Sequence, residues 1–413
     1  MKFSSFYLML TGMTLLGVSS CNSQNKPVVQ NNKSNSTSAS VKAKTASAKF
    51  TEGKDYTLFE RVRVLDKTGF AQPVEAFSLL IPKGWKTEGS IIWNQPGTTC
   101  AGTNRGFKAV SPDGKYSFEM FPFYTWSFDP LSPQNNQNSG SPYCGYGQPL
   151  DAANYFKQAF SKNELGNPQI IEVKANTTGM DAMERNNNKS RQELMSYGAS
   201  QVNYYPSAIS AKVKWADGSE GIVICGVNII EGTIPNPYNG SSSKIYTSSA
   251  SERIVLKYPA SESSNAPNLL SVIMSSIRTN TDWETVVNNF WKNVRQQSNI
   301  AHIGRIQMTD AMTAQMGRDA IKKGQQNLNN MDNSMRSWEA SQQSQDRIHT
   351  NFVKAIRGVE NYQDETGKVE LSSGYDHAWS RSDGSSFIMS DNPNFDPSSV
   401  LQDQRWKEMK RVD

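Results

Sequence analysis

Chemistry in this chain has to come from few residue types. Its 413 residues include three histidines, His302, His349 and His377, and four cysteines, Cys21, Cys100, Cys144 and Cys225. Histidines so few and so scattered do not make a usual zinc site, and neither Cys-x-x-Cys nor His-Glu-x-x-His occurs. There is no Gly-x-Ser-x-Gly elbow, no Walker loop and no Gly-x-Gly-x-x-Gly after a strand. A serine hydrolase needs a histidine base, and only His377 falls near an expected strand. A carboxylate pair for glycoside hydrolysis stays open, because spacing in sequence says nothing about the distance in space. Asp376, Asp391 and Asp396 gather with Tyr375 and Trp379, a composition compatible with sugar or calcium contact. Turn-forming aspartates beside packing aromatics are the plainer reading. No catalytic residue, metal ligand or cofactor is assigned.

The remaining candidates are binding residues. Phe121-Pro-Phe-Tyr-Thr-Trp-Ser-Phe-Asp-Pro130, a Gln/Asn/Ser stretch and then Tyr143-Cys144-Gly145-Tyr146 form an aromatic insertion. A loop this long is usually functional or disordered, and aromatic loops on a rigid sheet suit ligand or protein contact. Tyr124, Trp126, Tyr143 and Tyr146 are the candidate ligand contacts, and completion of a core by the same rings is weighed equally.

Cys21 closes an N-terminal segment with its own logic. Met1-Lys2 precedes a mostly apolar run, Phe6 to Val18, and small residues follow. These are the parts of a secretory signal, and the run is shorter than the roughly 20 residues that span a bilayer. Val18-Ser19-Ser20-Cys21 resembles the lipobox of bacterial lipoprotein precursors. The resemblance implies that Cys21 becomes the first mature residue and carries acyl chains, which hold a protein on a membrane when there are two or more. An ordinary cleaved signal with a chance cysteine is the alternative. The expected location is the bacterial cell envelope, facing the periplasm or the exterior. In an oxidising compartment Cys100 and Cys144, both in loops, are expected to pair as a disulfide. Cys225, in Ile-Val-Ile-Cys-Gly, reads as a buried strand residue with an inert thiol.

The net charge of +5 is unevenly placed. Residues 1–54 hold seven lysines and one acid, leaving 36 basic against 37 acidic residues beyond them. A nucleic-acid footprint is therefore absent. Residues 22–54, rich in Asn, Ser, Lys, Thr and Ala, read as a disordered tether whose lysines can approach anionic head groups.

From Tyr56 to about Asn280 the pattern is mostly strands. Phe107–Val110 and Tyr116–Phe121 flank Asp113-Gly114, and Ala211–Trp215 and Ile222–Val227 flank Asp217-Gly218. Asp-Gly between alternating runs is a strong hairpin cue. Asp151 can cap a helix whose Ala152, Tyr155, Phe156, Ala159 and Phe160 form one stripe, and Leu269, Leu270, Ile273, Met274 and Ile277 form another. The class expected is α+β, an antiparallel sheet with helices packed on it.

Phe77-Ser78-Leu79-Leu80-Ile81-Pro82-Lys83-Gly84-Trp85, then Ile91-Ile92-Trp93 and Ser111-Pro112-Asp113-Gly114, resembles the PsbP/Mog1-like superfamily. Residues 55–280 would form that sandwich-type domain. The long loop Phe121–Pro149 and the Asn-rich Glu184–Ser190 depart from it. The resemblance implies an adaptor or assembly factor more than an enzyme, although fold alone never fixes function. Trp85 and Trp93 are expected in the core.

Residues 281–360 read as a helical segment. Positions from Ile300 through Met331, Met335 and Trp338 to Val359 step by alternating threes and fours, a heptad seam with few turn signals and no proline. One long helix and a pair breaking near Gln325–Asn333 both fit, with the pair slightly favoured. Met331, Met335 and Trp338 are the candidate partner-binding positions, and self-association through the seam is equally compatible. Residues 361–413 return to short strands as a β-hairpin tail that resembles the end of uncharacterised exported bacterial proteins. The function expected is a membrane-anchored, non-catalytic binding or scaffolding lipoprotein with a protein partner in the envelope. The alternative is a hydrolase or carbohydrate binder using the aromatic loop or the Asp-rich tail.

Overall fold

The computed structural model describes residues 50–96, 100–131, 141–196, 200–235, 242–301, 359–364, 367–372, 375–382, 384–401 and 405–412. The signal and Cys21, almost all of the tether, and the seam residues Met331, Met335 and Trp338 lie outside them. What is described mixes a few helices with antiparallel sheets.

The first sheet begins with a hairpin of β1 (Thr57–Asp66) and β2 (Val74–Pro82), with a register shift between Val64 and Leu65. Asp66 closes β1 from inside the protein. One of its oxygens accepts the indole N–H of Trp93 at 2.8 Å and of Trp283 at 3.0 Å. The other accepts the backbone N–H of Gly69 at 2.8 Å and of Thr68 at 3.1 Å. A buried charge is tolerable only when its lone pairs are filled in this way. Gly69 lies so close under Trp93 that a Cβ there would collide with the indole.

A larger sheet takes β3 (Lys86–Asn94), β4 (Gly102–Val110), β5 (Ser117–Met120), β11 (Ser242–Tyr258), β10 (Glu220–Pro235), β9 (Gln201–Lys214) and β8 (Gln169–Ala175) in that spatial order. The long loop expected over Phe121–Pro149 contains two further strands, β6 (Tyr124–Phe128) on β11 and β7 (Cys144–Tyr146) parallel to β6. Asn-rich Glu184–Ser190 lies within a helix, α3 (Thr177–Ser196). Asn176 starts it by accepting the Gly179 N–H at 2.8 Å, a capping bond that propensity alone does not announce.

Side chains alternate across each strand, so the large sheet has two faces. On one, Phe107, Phe118, Ile224, Ile254 and Leu256 meet Phe77, Leu79 and Ile81 of β2. Leu270 and Ile273 of α4 (Ala266–Ser275), and Trp283, Phe290 and Trp291 of α5 (Thr281–Ala301), complete this core, while α3 covers β9. On the other face Val223, Cys225, Val227, Ile209 and Val213 lie under a short helix. It comprises α1 (Ala152–Tyr155), a π-turn (Phe156–Phe160) and α2 (Ser161–Asn163). Asp151 caps it as expected, accepting the Asn154 N–H at 2.7 Å.

The C-terminal stretch forms hairpins that join the body of the protein. β16 (Ser386–Ser390) lies between β1 and β15 (His377–Arg381), giving the order β12 (Arg278–Thr279), β2, β1, β16, β15, β17 (Trp406–Glu408). Phe59, Leu80 and Phe387 bury together beneath it. A three-stranded sheet follows the order β14 (Gly367–Ser372), β13 (Val359–Asp364), β18 (Lys410–Val412). Val359, expected to end the helical seam, opens β13, because its partner Ser372 offers a ladder that a helix end does not. One short helix, α6 (Pro397–Leu401), precedes β17. Among the described residues no helix is long and apolar enough to cross a membrane.

Candidate ligand-binding face

The aromatic insertion divides between the interior and the surface. β6 runs antiparallel to β11, with Tyr124 opposite Ala250, Trp126 opposite Ser248 and Phe128 opposite Tyr246. The three aromatics therefore share one side of the sheet. Trp126 is 5% exposed, stacks on Tyr155 at 5.1 Å between ring centres and donates its indole N–H to the Gln148 carbonyl at 3.0 Å. Tyr124 packs against both rings, 5.9 Å from Trp126 and 6.2 Å from Tyr155. A disulfide between Cys100 and Cys144 ties β7 to the residues before β4. The Tyr124 hydroxyl sits so close over Gly145 of β7 that any side chain there would collide with it. Tyr143 is half-buried, and its carbonyl accepts the Thr125 N–H at 3.0 Å. Trp126 and Tyr124 thus hold the insertion to the core, and Tyr143 hydrogen-bonds through its backbone.

Beneath these rings lies a charge that sequence reading did not single out. Arg253 of β11 is 1% exposed. Its guanidinium lies over Phe160 at 5.4 Å, Phe121 at 5.7 Å and Tyr124 at 5.9 Å. It donates to the Pro122 carbonyl at 2.9 Å through Nε and to the Tyr155 hydroxyl at 3.3 Å, and it is ion-paired to Glu164. Burial raises the Tyr155 phenol well above its ordinary range, with Arg253 only partly offsetting it. Its nitrogens are engaged by Pro122, Tyr155 and Glu164 of the protein itself, so this centre organises the fold.

Further along the same strands the helix cover ends. Ser207 of β9 accepts the Ala152 N–H at 2.8 Å, so α1 begins directly above it. Two residues before Ser207 on the same face, Tyr205 is 48% exposed. Its neighbour Tyr204 points the other way and is covered by α3, its hydroxyl 2.6 Å from that of Ser190. The row beside Tyr205 crosses the sheet. Asn203 of β9 stands opposite Glu231 of β10, Glu231 opposite Tyr246 of β11, and Tyr246 opposite Phe128 of β6. Tyr146 of β7 packs 6.1 Å from Phe128, which is 6.4 Å from Tyr246. Tyr146 donates its hydroxyl to the Asp129 carbonyl at 3.2 Å and accepts the Asp129 N–H at 3.1 Å.

Glu231 is the polar hub of the row. It is 6% exposed and bonds Lys244 at 3.0 Å, Asn203 at 3.2 Å and the Tyr246 hydroxyl. Burial works against its charge, yet these three donors outweigh burial and hold the carboxyl below its ordinary range. Glu231 in turn raises the Lys244 ammonium, chiefly through their hydrogen bond. Burial and the same carboxylate raise the Tyr246 phenol.

The chain matches no family model, no curated protein and no solved structure. Its own chemistry has to say what the face takes.

Other candidate residues have local duties. Asp391 accepts the Asp376 N–H at 3.3 Å, and Asp396 accepts the Ser398 N–H at 3.0 Å at the start of α6. His377 contacts Glu408 at 3.3 Å and stacks on Trp379. Among the described residues no group of three or more His, Cys, Asp or Glu side chains is placed to hold a metal ion. Of the aromatic candidates, Tyr146 touches this half-buried row, through Phe128. Tyr205, Lys244 and Tyr246 were missed because β9 and β11 start about ten residues before their apolar runs, in stretches rich in Ser, Tyr and Asn, and Glu231 because β10 runs on beyond Val227. The signal available was the alternation Asn203, Tyr205 and Lys244, Tyr246.

Proposed function

We propose that this chain is a membrane-anchored lipoprotein of the bacterial envelope, acting as a non-catalytic binding or scaffolding module. On this reading acylated Cys21 carries the anchor and the tether spans the gap to a PsbP/Mog1-like sandwich. The long helical segment with Met331, Met335 and Trp338 then meets a protein partner or a second copy. The observation that carries the binding reading is the division of the sheet. Its central residues are committed to packing, and its outer end presents a fixed row of rings and polar tips. Aromatic anchors beside a few positioned polar groups are the usual makeup of recognition surfaces. The carbohydrate-binding alternative draws on the same row.

The test is purification of the lipidated protein from its own membranes after mild crosslinking, with mass spectrometry of Cys21 and of whatever copurifies. Acyl chains on Cys21, and a stoichiometric partner lost when Met331, Met335 and Trp338 are made polar, are the expected results. A non-acylated Cys21 would remove the anchor, and a clean monomer would remove the scaffold.

A further inference from the structure

We infer that the outer end of the β6–β11–β10–β9 face is a binding site for an uncharged polysaccharide strand. The inference rests on the reading of the chain as a binding module, and it adds the ligand's class and the residues that meet it.

Three observations carry it. The first is the shape and composition of the row. Phe128, Tyr246, Glu231 and Asn203 sit on four adjacent strands, a width of roughly 14 Å at the usual strand spacing, and Tyr146 of the edge strand packs against Phe128. Tyr205 lies beside its far end and is half exposed. A sheet surface of this kind is long and shallow, and it matches an extended chain better than a compact molecule. The face of a sugar ring carries C–H groups with slight positive charge, which suit the negative face of a tyrosine or phenylalanine ring.

The second is the polar hub. Glu231 is too buried to be a principal contact, but it fixes the tips of Lys244, Asn203 and Tyr246 at one place. Asn203 is steadied from its other side by Gln201, whose amide donates to it at 3.4 Å. Lys244, whose side chain is 57% exposed, has ammonium donors beyond the one facing Glu231. Donors and acceptors held beside ring faces suit hydroxyl groups, each of which both donates and accepts. Glu231 is a positioning residue in this arrangement.

The third is charge. Lys244 and Glu231 cancel within the row, and the chain beyond the tether is balanced at 36 basic to 37 acidic residues. Nucleic acid or an anionic lipid surface would call for an excess of cations, which the row does not offer. The face complements a neutral ligand.

The experiment is calorimetric titration of the full chain with chitotetraose, cellotetraose and maltotetraose, and with dextran sulfate as an anionic probe. Saturable binding of at least one neutral tetrasaccharide, with a dissociation constant below about 1 mM, is expected. Tyr205→Ala and Tyr246→Ala should each weaken it by about tenfold. Tyr246→Phe keeps the ring and should lose less than Tyr246→Ala, and Glu231→Gln should weaken binding with its urea midpoint checked in parallel. Tyr205 is exposed, so its variant folds normally and the test does not depend on the buried positions. No saturable binding of any neutral probe, binding unmoved by Tyr205→Ala and Tyr246→Ala, or tighter binding of dextran sulfate would each overturn the inference. Cleavage of a bound tetrasaccharide, seen as new reducing ends, would leave the site standing and overturn the non-catalytic reading instead.

Discussion

Arg253 and Glu164 form an ion pair across 89 positions of sequence, joining the middle of the large sheet to the residue that follows α2. The guanidinium is almost wholly buried, whereas the Glu164 side chain is 32% exposed. Removing the carboxylate leaves a buried charge with hydrogen bonds but no counter-charge. Glu164→Gln is expected to lower stability by about 2 to 3 kcal/mol, less than for a fully buried pair because water reaches Glu164. Arg253→Met in the same chain should recover part of that loss. Urea denaturation of the two single variants and the double variant measures the coupling, and strictly additive losses would show that the pair does not act as one.

Asp66 holds four N–H groups, two of them from indoles. Asp66→Ala strands Trp93 and Trp283 in an apolar surround, and a loss of about 3 kcal/mol or more is expected. Tryptophan emission should shift in the folded state, because both indoles lose the same partner. An unchanged denaturation midpoint would mean that water replaces the carboxylate at no cost.

The disulfide closes a loop of 44 positions between Cys100 and Cys144. Replacing both cysteines by serine should cost about 3 to 4 kcal/mol in the chain-entropy account. The loss should match the effect of dithiothreitol on the native protein, read as a shift in the urea midpoint. A double variant as stable as the parent would assign the position of β7 to Tyr124 and Trp126 alone.

Cys225 is buried in β10, and burial pushes its thiol up to about 12 from an ordinary 9.0. The thiolate is the reactive form. In a Cys21→Ser variant, Ellman's reagent at pH 8 should find no reactive thiol in the native protein and one after unfolding. Tyr258, also raised by burial to about 12, acts in the same direction. Both groups stay protonated longer in the folded state. The stability they contribute is present below their ordinary values and is lost as pH rises through the folded ones. Rapid modification of the native protein would reveal opening of the sheet.

Glu231 governs the acid side. Its carboxyl is held below its ordinary value, so the folded chain releases this proton at a lower pH than the unfolded chain does. The resulting stability is present above about pH 4 and fades as pH falls through the folded value. The stability difference between the parent and Glu231→Gln should be constant near neutral pH and shrink in acid. A difference independent of pH would mean that shape, not charge, makes Glu231 matter.

Local chemistry made much of the fold legible. Asp113-Gly114 and Asp217-Gly218 turn hairpins as read, because Gly114 and Gly218 take the positive φ those turns require. Asp151 marks the helix it caps, and the Leu269–Ile277 stripe lies in or next to α4. Cys100 and Cys144, expected to pair from their loop positions, are joined as a disulfide. The outer halves of β9 and β11 were not legible, because their Ser, Asn, Gln and Lys residues carry little strand preference and break up the Tyr, Val and Ile positions that do. Pro206 deepened the disguise. It is tolerated because Ala208, two residues on, already turns its carbonyl to Asn176 at the end of β8, so the proline nitrogen faces the same side beyond that strand.

By itself the sequence determined the hairpin turns, the Asp151 cap and the apolar faces, since each depends on residues a few positions apart. Only the tertiary structure decided that β16 lies beside β1, that Arg253 is enclosed by the rings of Phe121, Tyr124 and Phe160, and that Phe128, Tyr246, Glu231 and Asn203 stand in one row. The physical reason is range. A turn is chosen by the dihedral preferences of two residues, whereas the neighbour of a strand is chosen by which pairing buries the most apolar surface across the whole chain, and no local pattern records that sum.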